Sequence, residues 1–442
     1  MANESMLELA KSAVATAKQK GASDIAAVMN ETRDVDVTWR DGKLEKISEA
    51  TSRSLEARLY VDGRFAACST SDLRPDALAA FLDDAIALTR TLAKDPNRSL
   101  PDPSLYGKVA ASELELNDPQ MGDFAAMEMR KSAQKMEEAA RSVPGSKDFL
   151  SVTTGMSLSS RMTTRVHSNG FEGSYPSSNC AIWTDVSIRD ADGRRPEEGD
   201  YANMRFVSDL PDVAMMGRAA AERALGRRGA KKIASGVVPV VMENRTAGRF
   251  LSFLLGPLSG GSLQQKRSFF EGLLGKPFGS DKLDIADDPL IRRSLGSRPF
   301  DGEGIAAKRL PLFEQGVLKN HYIDTYYGKK LGMAPTTGGM SNLAWKLGTK
   351  DKTALVADIK DGVFITSFLG GNSNGTTGDY SMGFQGFAIR GGKLAEPISE
   401  MNLSGKHIET WKRLVAVGND PFLNSSLRTP TLVFDGLQIA GT

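Results

Sequence analysis

The sequence predicts an α+β fold of mostly antiparallel sheets with flanking helices, and three observations carry that prediction. Runs of alternating apolar and polar residues end in Asp-Gly at 41–42 and 62–63 and in Gly-Gly at 391–392, dipeptides that tolerate the positive backbone angles of two-residue hairpins. Amphipathic stretches with helical spacing lie between these blocks, and a helix laid on an antiparallel sheet buries the apolar faces of both. A chain of 442 residues, 40% hydrophobic, is long enough for about three lobes at ~150 residues each.

Taken in order, Leu7, Ala10, Val14 and Ala17 place a helix over 5–20, with Asn3 or Ser5 as its cap and Gly21 as its stop. Val35, Val37 and Trp39, then Leu55, Ala57, Leu59 and Val61, alternate into a meander that ends near Ser69. Pro75 opens a second helix carrying Leu78, Phe81, Leu82, Ala85, Leu88 and Leu92. Three prolines in 95–106 mark a linker, because proline continues neither a helix nor a ladder. The N-terminal α+β lobe therefore spans 1–106. A third helix over 122–141 opens a central β-rich lobe, 107–234, with hairpin turns expected at Asn169-Gly170 and Asp192-Gly193 and a bulge at Glu172-Gly173. Val186 and Ile188 alternate with polar residues as in a half-exposed sheet, and a helix over 212–228 closes the lobe.

The larger C-terminal β-rich lobe, 235–442, starts with Val237, Val238, Val240 and Val241, a short β-branched run typical of a buried strand. Pro257 and Gly260-Gly261 break the helical stretch after it. Residues 296–339 read as a turn, a hairpin around Glu314-Gln315-Gly316, and a short helix opened by Asp324 and closed at Gly332. A small helix near 353–360, a strand at 363–368, a Gly-rich loop at 370–378, a hairpin at Gly391-Gly392, a helix through His407, Trp411 and Leu414, and a last strand through 430–434 complete the chain.

Composition narrows the function classes. Lys and Arg total 56 against 54 Asp and Glu, a net charge of +2 that supplies no global field for a polyanion, so direct nucleic-acid binding has no support. The one dense basic run, Arg227 to Lys232, falls where a helix ends and reads as a solvated, dipole-complementing terminus. Two cysteines, Cys68 and Cys180, form no disulfide framework. No secretory signal pattern and no long apolar run occur, which points to a cytoplasmic protein away from membranes. Three histidines, at 167, 321 and 407, share no helix face, and no HExxH pair, CxxC or calcium loop supplies a partial metal site. His407 is expected on a partly buried helix edge and His321 in a strand. There is no GxSxG, although a Ser/His/Asp arrangement is defined by geometry rather than spacing. The stretch from Gly370 to Gly378 lacks the Lys-Ser/Thr ending of a phosphate loop and leads into a strand, so a tight turn or a peptide-approach site fits it better.

The phrases Ala67-Cys68-Ser69-Thr70-Ser71-Asp72-Leu73, Ser297 to Gly304, Thr336-Thr337-Gly338 and Gly378-Asp379-Tyr380-Ser381 follow one another in an order that resembles the TldD/PmbA family along nearly the whole chain. In the catalytic branch of that family a helix after a buried strand carries HExxxH, and a late Cys-Gly supplies a third zinc ligand. Here Met242 and Ala247 stand at the approximate histidine positions, Glu243 alone remains, and Val417-Gly418 occupies the Cys-Gly position. The chain thus resembles the PmbA branch, also called TldE, which lacks the metal motif; Gly338-Gly339-Met340-Ser341-Asn342 departs from the arginine-containing phrase usual there.

The resemblance implies a noncatalytic subunit with no cofactor of its own, paired with a TldD-like zinc peptidase subunit, and a homodimer when alone. Its substrate class is unfolded or leader peptide. Thr336, Thr337, Gly338, Gly375, Thr377, Gly378, Asp379 and Ser381 are the expected lining of a peptide cleft, since a glycine-rich strand edge lets two backbones approach. Two other readings stay open: an autonomous metal-free hydrolase acting as a homodimer, and a protein-binding module of the gyrase-modulator type.

Overall fold

Asp41, Gly42, Asp62 and Gly63 all adopt positive φ, at 47°, 76°, 51° and 76°, so both Asp-Gly pairs form the tight hairpins that their chemistry favours. The computed structural model describes residues 2–107, 109–124, 126–191 and 193–442. The hairpins join β1 (Asp24–Arg40), β2 (Lys43–Val61) and β3 (Arg64–Thr70). With β4 (Phe149–His167), β5 (Glu172–Ile188) and β6 (Glu197–Met204) they build one six-stranded antiparallel sheet in the order β3-β2-β1-β4-β5-β6.

Helices cover one face of this sheet. Ala10, Ala13 and Ala17 of α1 (Ala2–Gln19) and Leu78, Leu82 and Ile86 of α2 (Pro75–Thr91) pack on Ile25, Met29, Leu55 and Leu59. Beyond the linker and the single turn α3 (Ala111–Leu114), Met129, Ala133 and Met136 of α4 (Ala126–Arg141) and Met216 of α5 (Val213–Leu225) cover Val35, Val37, Leu158 and Ile182. The crossing of α4 and α5 is close: a Cβ on Gly217 would lie 2.1 Å from the Met136 carbonyl oxygen.

The C-terminal lobe holds β7 (Gly236–Met242), α6 (Asn244–Leu255) and α7 (Gly260–Gln264), then a small sheet of β8 (Ile285–Asp287), β9 (Leu310–Glu314), β10 (Val317–Leu318) and, after α8 (Thr325–Leu331), β11 (Leu343–Trp345). After α9 (Lys352–Ala357) come β12 (Asp361–Phe368), β13 (Asn372–Ser373), β14 (Asp379–Arg390), β15 (Lys393–Lys406), the one-turn α10 (His407–Thr410), β16 (Leu414–Val417) and β17 (Leu432–Ala440). Pairings of β12 with β7, β7 with β17, β17 with β15, β15 with β14 and β14 with β12 close this sheet into a ring. Phe250 of α6 is fully buried against it, ring to ring with Trp411, Tyr380, His407 and Phe434. Burial of such a side chain contributes about 2 kcal/mol. The fold is α+β with antiparallel-rich sheets, as the patterning predicts. No helix among the described residues is long and apolar enough to cross a membrane.

Several local expectations change. Helix α1 starts at Ala2, so Asn3 and Ser5 lie inside it rather than capping it. Glu172 and Gly173 sit in unbroken register with Val166 and Arg165, and no bulge forms there. Asp192 lies outside the described residues, and with it the second hairpin of the central lobe. Val237 is 62% exposed, because β12 pairs with β7 only from Val240 onward and leaves its start uncovered. The helix at His407 is a single turn that gives way to strand at Leu414, and the last strand runs on to Ala440. The basic run is only partly a solvated terminus: Arg227 is 3% exposed and ion-paired with Glu198, and Arg228 pairs with Asp148.

Candidate functional site

The pairing register brings together the three positions that the resemblance sets approximately against zinc ligands. Met242 of β7 and Val417 of β16 both lie opposite Leu432 of β17, one on either side, and Ala247 stands one helical turn into α6. Met242, Ala247, Val417 and Leu432 belong to one apolar core. A zinc ion needs about four nitrogen, sulfur-anion or oxygen donors at ~2 Å, and a thioether beside a methyl and an isopropyl group supplies no such set. The residues here do not fit zinc. Among the described residues, no group of three or more His, Cys, Asp or Glu side chains is placed to hold a metal ion.

Glu243, the one remnant of the motif, is the N-cap residue of α6 and is 4% exposed. Its carboxylate receives both Nη atoms of Arg223, at 3.1 and 3.0 Å, and Lys352 Nζ at 3.2 Å. Burial pushes its pKa up, but these cations outweigh the burial and hold it below the usual carboxylate range. A carboxylate fixed in this way is not poised to take a proton. The pair belongs to a wider network in which Arg227 binds Glu198 and Thr366 Oγ1, and Arg245 binds Asp200 at 2.8 Å, tying α5 and β6 to the C-terminal sheet. Sequence reasoning missed this network, although Arg223 in the last turn of an alanine-rich helix and Arg227 just beyond its end carried the signal.

The Gly-rich stretch forms a tight turn between β13 and β14. Gly378 N donates to Asn374 O at 2.8 Å, Asn374 Oδ1 accepts from the backbone of Thr376 and Thr377, and Gly378 has a φ of 78°. Thr377, Asp379 and Ser381 are exposed, Gly375 is half-buried and Gly378 is buried against Phe269. Thr377 Oγ1 donates to Asp379, and Ser381 exchanges hydrogen bonds with Asn402.

Next to this turn, Ser373 Oγ lies 3.0 Å from His407 Nε2, the one place where a hydroxyl and an imidazole meet at the loop. Trp411 Nε1–H donates to His407 Nδ1 at 3.3 Å, so Nδ1 is the acceptor and Nε2 carries the proton, which it donates to Ser373. A general base needs the opposite tautomer, with a carboxylate on Nδ1–H. His407 is fully buried rather than on a helix edge, and burial holds its pKa down to about 4. His321 also lies outside any strand; its Nδ1 is buried without a partner and its pKa falls to about 4. His167 ends β4, with Nδ1 3.0 Å from the Tyr106 hydroxyl and a pKa pushed down to about 3 by burial.

Thr336 and Thr337 use their hydroxyls within the chain: Thr336 Oγ1 donates to the His321 carbonyl at 2.7 Å and accepts from Ile323 N, and Thr337 Oγ1 donates to Asp301 at 3.0 Å. Gly338 is exposed beside Asp324. Arg298 donates to the carbonyls of Gly339 and Met340 in the 338–342 phrase. Residues 336–338 and 375–381 share no hydrogen bond. They flank one segment, with Leu258 bonded to Tyr322 on one side and Phe269 bonded to Gly375 on the other.

Family models match three stretches of the chain: PmbA/TldA metallopeptidase domain 1 over 26–89, the central domain over 119–228 and the C-terminal domain over 235–441. The metalloprotease PmbA of Escherichia coli O157:H7 is 28% identical over 447 residues, covering 99% of this chain and 97% of that protein. A PmbA homolog from Haemophilus influenzae is 29% identical, covering 97% and 94%. The crystal structure of a putative modulator of DNA gyrase from Bacteroides thetaiotaomicron superposes with a TM-score of 0.95 at 36% identity, over 98% of both chains. TldE from Thermococcus kodakarensis, at 18% identity, shares the fold with a TM-score of 0.84, over 98% of this chain and all of that one.

Proposed function

The chain belongs to the PmbA/TldD family, and on that premise we propose that it is the metal-free, noncatalytic subunit of a peptidase whose zinc-bearing subunit is a TldD-like partner. The observation that carries this reading is the convergence of Met242, Ala247 and Val417 in the apolar core where the family's ligands would meet, with Glu243 locked to Arg223 and Lys352. The substrates are unfolded or leader peptides. Exposed Thr377, Asp379 and Ser381, with Gly375, Gly378 and the 336–338 turn, face the partner's active site, where a strand edge without bulky side chains accepts an extended backbone irrespective of sequence. Free thiols at Cys68 and Cys180 suit the reducing cytoplasm, where the complex would act.

Reconstitution tests the reading. The purified chain retains less than a tenth of an equivalent of zinc after dialysis and cleaves nothing alone, and adding a TldD-like chain restores chelator-sensitive cleavage of an unfolded peptide. One equivalent of zinc retained by this chain, and lost on replacing His167, His321 or His407, overturns it.

A further inference from the structure

Helices α1, α2, α4 and α5 all lie on one face of the six-stranded sheet, so every second residue of its strands points the other way. Along the middle of the central pair those residues are polar: Asn30, Thr32, Asp34 and Asp36 on β1 stand level with Thr163, Arg161, Ser159 and Ser157 on β4. Arg161 is exposed and most of its neighbours are half-buried, which leaves a hydroxyl-rich floor.

The charges on this floor are separated. Asp34 and Asp36 meet no cation within ion-pair distance among the described residues, and Arg161 donates to Thr32 Oγ1 at 3.2 Å without a carboxylate partner. Further along β4, Arg165 is 6% exposed, and its Nε and Nη1 are buried without hydrogen-bond partners. The two carboxylates whose charge reaches it are engaged elsewhere: Glu56 with Arg58, and Asp301 with Thr337 and the backbone of Glu303 and Ile305. Burial and the neighbouring Arg58 lower its pKa to about 10, as for a cation short of an anion. The basic end is also the closed end. There Phe300 stacks edge-on against Phe171 and Tyr175, and Arg58 binds the Gly302 carbonyl at 3.3 Å.

We propose that this face seats the C-terminal segment of an extended peptide, with its free carboxylate at Arg161 backed by Arg165 and its upstream end over Asp34 and Asp36. From the level of Asp36, opposite Ser157, to Arg161 the strand advances four positions, about 13 Å at ~3.3 Å per residue, the span of the last four residues of an extended peptide. A floor closed at its basic end suits a chain terminus better than a chain passing through. Hydroxyl and amide side chains at alternate positions can meet main-chain groups of any sequence. The inference rests on the peptide-handling reading above and names the end of the peptide that this subunit holds.

Calorimetric titration of the purified chain with a hexapeptide of Ala and Ser, as free acid, as C-terminal amide, and as amide with one internal Asp, tests it. The free acid should bind at least tenfold more tightly than either amide, and Arg161→Gln, whose side chain is exposed, should abolish the difference. Acid and amide binding alike overturns the proposal and leaves peptide handling intact. An Asp-containing amide as tight as the free acid overturns the assignment to a chain terminus. If no peptide binds while the reconstituted complex still cleaves, the face is not the seat. If neither binding nor cleavage occurs, the peptide-handling reading falls as well.

Discussion

At the residue scale, the three histidines are held neutral by burial, and the sign of the pH effect follows. Their folded pKa values, about 3 for His167 and about 4 for His321 and His407, lie below the ~6.5 of an unfolded chain. Between pH 6.5 and 4 the unfolded state therefore binds more protons, so stability is complete above about pH 6.5 and falls as the pH drops through that window. Each histidine should cost up to about 3 kcal/mol at pH 4, and urea midpoints measured from pH 7 to 4 should flatten in His407→Phe relative to the parent. Glu243 makes a second test. Glu243→Ala leaves the half-buried Arg223 without its bidentate partner, with Glu198 at 3.8 Å as its remaining carboxylate, and should cost about 2 kcal/mol, whereas Lys352→Ala, removing a half-exposed cation, should cost less than about 1 kcal/mol. That 242, 247 and 417 carry a thioether, a methyl and an isopropyl group is legible in the sequence, because donor chemistry belongs to residue type. The tautomer of His407 is not, because it depends on how the fold turns the Trp411 Nε1–H onto Nδ1.

At the scale of elements, glycines decide where two segments touch. Gly217→Ala would drive a methyl into the Met136 carbonyl at the crossing of α4 and α5, and a thermal melt should show a loss of about 1–3 kcal/mol. In the Gly-rich turn, Gly378 needs its positive φ, so any side chain there strains the backbone by about 1–2 kcal/mol whatever it does to substrate. Gly375 does not, and an added Cβ would sit 3.4 Å from the Arg267 carbonyl, tight but tolerable. Gly375→Val is therefore the cleaner probe of the cleft: it should fold and pair normally while peptide cleavage by the reconstituted complex falls several-fold, and undiminished cleavage would leave the stretch as a turn alone. The hairpins at 41–42, 62–63, 315–316 and 391–392 were readable because Gly, Asp and Gln in those pairs all adopt positive φ. The strands β8 and β11 that extend the 315–316 hairpin into a sheet were not, since three residues leave too little alternation to recognise.

At the scale of the molecule, the pairing of β1 with β4 fuses the first two lobes into one sheet, a contact between residues more than 100 positions apart that leaves no local trace in the sequence. The ionic network of Arg223, Arg227 and Arg245 then fixes that sheet to the C-terminal lobe, so the chain presents its polar sheet face and its Gly-rich turn as parts of one body. Subunits sharing a fold commonly reuse one surface for pairing, so the subunit role proposed above predicts that the chain joins both a TldD-like partner and itself. Light scattering at micromolar concentration should show a homodimer of the isolated chain. Adding the partner should convert it to a heterodimer with one zinc per pair, all of it lost with the partner on separation. Glu243→Gln in this chain should leave cleavage by the pair within about twofold, while the same change in the partner's HExxxH motif should abolish it. A chain that stays monomeric with and without the partner, or a pair silenced by Glu243→Gln here, would place catalysis or its assembly elsewhere than in the partner's metal site.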